Sequence, residues 1–163
     1  MASSRAAPPE ASGLDVRDLG AFTRLARTAL FLEALQAECL EPFGLSFTEY
    51  TVLRVLHTDA PAQGLAPGRL AEAVLTSSGG MTKIVDRLVR TGHVQRSTDP
   101  NDRRGVLVTL TPQGRATSKA ASASYGQGRA RVLARLTATE RAAIDLGLQR
   151  PLDAFEDDRA EQR

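Results

Sequence analysis

The amino-acid sequence predicts a mainly α-helical protein that contains one small β-hairpin. Apolar residues recur every three or four positions through most of the 163 residues, and this is the period of a helix. Between residues 94 and 110 the apolar period changes to two, which is typical of strands. Two Ser/Thr-x-x-Glu sequences, which begin at Ser46 and Thr137, mark the starts of helices. We therefore expect helices on both sides of a single pair of strands.

The composition is that of an ordinary globular protein, with 42% apolar and 25% charged residues. The single cysteine, Cys39, excludes a disulfide within one chain. No apolar run reaches the ~18 residues that a membrane span needs. The Ala/Ser/Pro-rich beginning lacks the apolar centre of a signal peptide. These features predict a cytoplasmic protein that does not bind membranes.

The first helix should follow a disordered arm, residues 1–13, and begin near Leu14. Pro42 should end it. Its apolar stripe is widened by Leu19, Leu30 and Phe31, and a helix with apolar residues on two sides suits contact with both its own domain and a partner. The stripe itself consists of Phe22, Leu25, Ala29, Leu32, Leu35 and Cys39.

Two short helices joined by a tight polar turn are predicted in the middle of the chain. The capping box at Ser46 starts a second helix that runs to about Leu56. Pro67 suits the first position of a third helix. The polar run 76–78 ends that helix and can cap a fourth, which continues to Gly92. This order is that of a helix-turn-helix, whose second helix can enter a DNA major groove.

A β-hairpin follows directly, which makes the predicted fold a winged helix-turn-helix. One strand begins at Val94, the other covers residues 106–110, and a long polar tip, 97–105, joins them. Thr111 and Pro112 should start a fifth helix that reaches about residue 136. The capping box at Thr137 starts a last helix, in which Pro151 predicts a kink or a break.

The basic charge of the chain is concentrated around these elements. Residues 61–115 carry eight Lys and Arg against four Asp and Glu, whereas residues 1–60 have an acidic excess. Such a distribution indicates a polyanionic partner. On the fourth helix, hydroxyls can donate to phosphate or bases, glycines allow close approach, and basic side chains can bind phosphate. The predicted contacts are Ser77, Ser78, Gly79, Gly80, Thr82, Lys83 and Arg87.

The hairpin adds three arginines to the predicted DNA contacts. Arg103 and Arg104 lie at the tip, where one of them should enter the minor groove. Which of the two reaches deeper is open. Arg96, at the base of the first strand, can touch phosphate or remain a surface residue.

The segment from Leu70 to Arg115 resembles the MarR family of bacterial transcription regulators. One part of the resemblance is MTKIVDRLVRTG followed by HVQR, residues 81–96, and the other is DRRGVLVTLTPQG, residues 102–114. The resemblance implies a homodimer with intertwined first and last helices, two DNA-binding lobes, and repression that a ligand or an oxidant relieves. It also implies that Asp102 pairs with Arg104 and fixes the wing. Residues 14–57 and 112–163 would then form the dimerisation helices, and residues 58–111 the DNA-binding lobe.

Several alternative functions can be compared with this one. An enzyme is disfavoured, because the two histidines, His57 and His93, have no metal-ligand spacing and suit a helix end and a solvated turn. No cofactor or metal is expected. A thiol-based redox sensor would act through Cys39, but Cys39 lies on the apolar stripe, and apolar surroundings lower the reactivity of a thiol. A dimeric interaction module without DNA would not need the basic hairpin tip.

A small-molecule effector is the remaining expectation. In proteins like those of the MarR family, effectors lodge between the dimerisation helices and the DNA-binding lobe. Arg24 and Arg27 are polar residues in an otherwise apolar helix, and Tyr50 adds an aromatic hydroxyl. These three residues form the candidate pocket for an aromatic or carboxylate ligand.

Overall fold

The computed structural model describes residues 16–100 and 102–161, and it confirms the mainly helical class with one two-stranded antiparallel sheet. The predicted arm, residues 1–13, lies outside the described residues. The helices and strands are α1 (Val16–Leu40), a 3₁₀ turn (Glu41–Phe43), α2 (Phe47–Thr58), α3 (Pro67–Ala73), α4 (Ser78–Arg90), β1 (Val94–Asp99), β2 (Asp102–Leu110), α5 (Pro112–Leu133) and α6 (Ala138–Glu161).

The chain divides into two units, residues 1–38 and residues 39–163, which are considered separately. The first unit contains most of α1. Its apolar side chains are only partly covered: Leu25 and Leu35 are half-buried, whereas Phe22 and Phe31 are exposed. α1 therefore presents an apolar surface that its own unit leaves open to solvent.

The core of the second unit lies where α2, α3, α4, β2 and α5 meet. Burial of each large apolar side chain stabilises the fold by about 1.5–3 kcal/mol, so this core supplies much of the stability of the unit. The largest fully buried apolar side chains are Leu40, Val52, Leu53, Leu70, Met81, Val85, Leu88 and Val108.

The helices begin where the local sequence predicts. Ser46 accepts a hydrogen bond from the Glu49 amide, and the Glu49 carboxylate accepts one from the Ser46 amide. Thr111 caps α5 by accepting from the Gly114 amide. At the start of α6, hydrogen bonds from the Thr137 amide and hydroxyl hold the pKa of the Glu140 carboxyl below its ordinary value. These contacts span three residues, which is why sequence alone locates them.

The strands are longer and their connection is shorter than the sequence predicts. Ser97 pairs with Leu107, and Thr98 pairs with Val106, so residues expected in the polar tip belong to the ladder. The register shifts after Thr98. Polar side chains are compatible with a two-stranded ribbon that projects into solvent, because neither face there needs to be apolar. Leu65 adds an isolated bridge to Val108, which the sequence analysis missed.

One further expectation was wrong, and of the kink or break expected at Pro151 the break is excluded. His93 is buried, and its Nδ1 lies 2.8 Å from the Thr91 hydroxyl, so it is not a solvated turn residue. α6 continues through Pro151 without a break. A proline in a helix loses one hydrogen bond to the carbonyl four residues earlier, which is here the carbonyl of Gly147.

Candidate nucleic-acid interface

The N-terminus of α4 leaves hydrogen-bond donors available to an external anion. The Ser77 hydroxyl accepts from the Gly80 amide at 3.1 Å, so the amides of Ser78 and Gly79 are the first-turn donors without a partner inside the helix. Both of these residues are exposed. A helix N-terminus with free amides and a partial positive charge favours phosphate.

The two glycines of this turn differ in their surroundings. A side chain at Gly79 would meet nothing within 4 Å, whereas a β-carbon at Gly80 would lie 2.9 Å from the Thr76 hydroxyl oxygen. A side chain at Gly80 would therefore have to displace the Thr76 hydroxyl, and Gly79 leaves the surface of the helix without a side chain at that position. A surface without a side chain lets the backbone approach a DNA strand closely.

Lys83 and Thr82 lie on the exposed side of α4, opposite the buried Met81, Val85 and Leu88. The Thr82 hydroxyl donates to the Ser78 carbonyl at 3.0 Å, so its lone pairs remain available. In the described part of the chain, Lys83 has no ion-pair partner. Its ammonium group is therefore free to bind phosphate.

Arg87 and Arg96, in contrast, form ion pairs with carboxylates of the same chain, although both arginine side chains remain partly exposed. Arg87 Nε lies 3.0 Å from Glu49 Oε1, and Arg96 Nη2 lies 2.7 Å from Asp86 Oδ1. The first pair links α4 to the start of α2, and the second links β1 to α4. These contacts join distant parts of the sequence, so no local pattern could have predicted them.

The wing carries the remaining predicted contacts. Asp102 is exposed at the start of β2, and Arg103 and Arg104 follow it in the same strand. The side chains of the two arginines lie outside the described residues, and with them the expected pairing of Asp102 with Arg104. The strand nevertheless places both arginines beside the connection between β1 and β2.

A cavity of about 520 Å³ lies between α2 and α5. Tyr50 is buried and its hydroxyl lies 3.3 Å from the Ser122 hydroxyl. The Phe47 and Tyr50 rings each lie 5.8 Å from the Tyr125 ring, at steep angles. The exposed Arg54 also lines the cavity, and Arg129 Cζ lies 5.5 Å from the centre of the Tyr125 ring.

Only Tyr50 of the three predicted pocket residues lies at this cavity. Arg24 and Arg27 are exposed on α1, in the unit formed by residues 1–38. Arg54, Tyr125 and Arg129 line the cavity but were not among the residues predicted from the sequence. Arg54 could have been predicted as a pocket residue, because it interrupts the apolar pattern of the second helix. Arg129 could not, because α5 is polar over most of its length and one more charged residue does not stand out.

Cys39 is buried near the end of α1, and its backbone carbonyl accepts a hydrogen bond from the Ser124 hydroxyl at 3.0 Å. This position is that of a packing residue, as expected for the apolar stripe. Among the described helices, none is both long and apolar enough to cross a membrane.

A helix with donors at its exposed N-terminus, packed beside a two-stranded wing with adjacent arginines, defines a winged helix-turn-helix DNA-binding protein. Comparisons with known proteins identify the group to which it belongs. The sequence model of the MarR family matches residues 43–105. The multiple antibiotic resistance protein MarR of Salmonella typhimurium is 33% identical over 114 residues, an alignment that covers 69% of this chain and 77% of that protein. The chain belongs to the MarR family of transcriptional regulators.

Two other similar proteins extend the comparison. The transcriptional activatory protein BadR of Rhodopseudomonas palustris is 35% identical over 94 residues, which are 58% of this chain and 54% of BadR. A mutant MarR from E. coli, solved in complex with operator DNA, has a TM-score of 0.69 and 30% identity, with 82% of this chain and 93% of that chain covered. The relatives are thus regulators of transcription rather than enzymes.

Proposed function

We propose that this regulator is a homodimeric cytoplasmic repressor, that it binds a pseudo-palindromic DNA site, and that a small aromatic or carboxylate molecule releases it. The observation that carries the DNA-binding geometry is the exposed start of α4, where Ser78 and Gly79 offer free amides beside Lys83. The solved complex of a similar protein with operator DNA supports this geometry.

In the proposed complex, α4 lies in a major groove. The amides and hydroxyls of residues 77–82 and the Lys83 ammonium bind phosphates and base edges. The wing, with Arg103 and Arg104, lies in the adjacent minor groove, whose negative potential favours arginine. Half-sites should lie about one helical turn apart in a dimer complex.

DNA binding is tested by fluorescence anisotropy with duplex from the upstream region of the chain's own gene, at two salt concentrations and against random duplex. We expect selective binding that weakens steeply with salt. Arg104→Ala should weaken specific binding by roughly 1–3 kcal/mol. The matched control is Arg150→Ala, on α6, which should leave affinity unchanged. Unchanged affinity of Arg104→Ala would refute the role of the wing.

The effector site in this proposal is the cavity between α2 and α5. Its wall of three aromatic rings suits a planar aromatic body. Arg54 and Arg129 at its edge can bind a carboxylate, and the Tyr50 and Ser122 hydroxyls can orient a polar substituent. Because α2 also carries Glu49, which pairs with Arg87 of α4, a ligand against α2 acts close to the DNA-binding helix.

Calorimetric titration with 2-naphthoate, an aromatic carboxylate, tests the cavity. We expect heat of binding in the wild type that is lost in Arg54→Ala and in Arg129→Ala. Arg24→Ala and Arg27→Ala test the pocket predicted from the sequence, and the cavity proposal expects both to bind normally. Loss of heat in these two variants, with Arg54→Ala unaffected, would move the site to α1.

A further inference from the structure

Glu49 is a buried carboxylate whose two oxygens are both engaged. Its side chain is 4% exposed. Oε2 accepts from the Ser46 amide at 2.8 Å and from the Ser46 hydroxyl at 2.9 Å. Oε1 lies 3.0 Å from Arg87 Nε. A buried carboxylate needs such compensation, because desolvation disfavours the charged form.

Arg87 of α4 makes two contacts with the segment around the start of α2. Besides the ion pair with Glu49, its Nη2 donates to the Gly44 carbonyl at 3.2 Å. Gly44 closes the 3₁₀ turn in the left-handed conformation, with φ of 63°. The guanidinium group is thus held at two points against the segment that begins α2. Its charge is already balanced by a carboxylate, which reduces what it can contribute to counterion release from DNA.

The contact also has a geometric consequence for α4. Arg87 lies in the last turn of α4, and Lys83 lies four residues earlier on the same side of the helix. A two-point contact at one side of a helix opposes its rotation about its own axis. The direction in which Lys83 and Thr82 point therefore depends on where Arg87 is held.

We propose that Arg87 is a positioning residue: together with the buried Glu49 it fixes the rotation of α4, so that the residues preceding it meet the groove in register. This inference rests on the proposed insertion of α4 into a major groove. It assigns a DNA-binding role to Glu49, a residue that is too buried to contact DNA itself.

The test compares specific and random duplex binding for Glu49→Gln and for the double variant Glu49→Gln/Arg87→Met. Glutamine preserves the capping box, so the single variant should fold. The double variant removes both charges and leaves the net charge of the chain unchanged. Only Glu49 of this pair is buried, since the Arg87 side chain is 54% exposed, and replacement of both charges together leaves no buried charge without a partner. Thermal denaturation and circular dichroism check folding of both variants.

We expect the ratio of specific to random affinity to fall about tenfold in both variants, because α4 turns slightly out of register with the bases when this contact no longer holds it, while Lys83 remains in place. The slope of log Kd against log salt should equal that of the wild type in the double variant. Lys83→Met is the control for a true phosphate ligand, and it should reduce the slope by about one.

Two results would overturn the inference. The first is a salt slope that falls by about one in the double variant, since this is the signature of a phosphate ligand. The second is tighter binding of Glu49→Gln to both duplexes with the specificity ratio preserved, since a freed Arg87 would then be binding DNA. If even the wild type showed no preference for its specific duplex, the proposed DNA-binding geometry would fail instead.

Discussion

Leu75 holds the turn between α3 and α4 in a backbone conformation that leucine rarely adopts. Its φ is 54°, and it is the one non-glycine residue with positive φ in the described part of the chain. The left-handed conformation costs roughly 1–2 kcal/mol for a residue with a β-carbon. The side chain is 72% exposed, so it adds little packing in return. The helix-turn-helix is thus strained at its centre.

Leu75→Gly should therefore stabilise the protein. The relief of strain exceeds the extra backbone entropy that glycine loses on folding, and we expect a net gain of up to about 1 kcal/mol in the free energy of unfolding. Chemical denaturation measures it. Leu75→Ala is the matched control, because alanine keeps the β-carbon and should give no gain. Equal effects of glycine and alanine would contradict the argument from backbone strain.

The residues that sequence reasoning located correctly are those with local partners. Ser46 and Ser77 cap their helices by accepting hydrogen bonds from amides only three residues away, and such short patterns can be recognised in the sequence. Arg87 and His93 have tertiary surroundings instead. Arg87 pairs with Glu49, a contact that the sequence did not predict, and His93 was expected in solvent and is buried. Nothing in the spacing of residues encodes a partner that is tens of positions away.

The start of α5 is closely packed against the two residues that precede β1. The Thr111 hydroxyl donates to the Gly92 carbonyl at 2.6 Å, and the Thr111 amide donates to the His93 carbonyl at 3.0 Å. A β-carbon at Gly114 would overlap the backbone carbonyl of His93. The start of α5 therefore packs directly against the segment that connects α4 to the wing. The positions of α4 and of the wing both depend on this contact.

Gly114→Ala should destabilise the protein by about 1–3 kcal/mol, because the overlap forces a backbone shift at this junction. It should also weaken specific DNA binding by moving the wing relative to α4. Gly126→Ala is the control in the same helix. A β-carbon there meets nothing within 4 Å, and alanine should add up to ~1 kcal/mol of helix propensity. Thermal denaturation measures the stability of both variants, and fluorescence anisotropy measures their DNA affinity; similar stabilities would refute the contact.

The order and type of every described helix were predictable from apolar period and caps, but the extent of the hairpin was not. Its outer pairs, such as Thr98 with Val106, are polar or exposed. Alternation is a signal of one buried face, and a ribbon that projects into solvent has none. The length of the hairpin is set by main-chain hydrogen bonds, and the pattern of side chains does not indicate where these bonds end.

For the whole molecule, the exposed apolar surface points to association. α6 carries Ile144, Leu148, Leu152 and Phe155 at spacings of four, four and three, which places them on one stripe. Each is between 45% and 54% exposed. In the separate unit of residues 1–38, Phe22, Leu30 and Phe31 are exposed as well. A contiguous apolar stripe left open to water marks an interface, and the pattern of the first helix already predicted a partner.

Leu148→Glu should convert the proposed dimer into a monomer, because a charge at the centre of the α6 stripe would have to be buried without a partner. Sedimentation velocity at micromolar concentration measures the state of association. Specific DNA affinity should fall at least tenfold, since a monomer reaches one half-site only. Gln149→Lys adds a charge to the neighbouring position, off the stripe and beside Asp153, and should stay dimeric. A wild type that sediments as a monomer, or a Leu148→Glu variant that remains a dimer, would exclude this face of α6 as the interface.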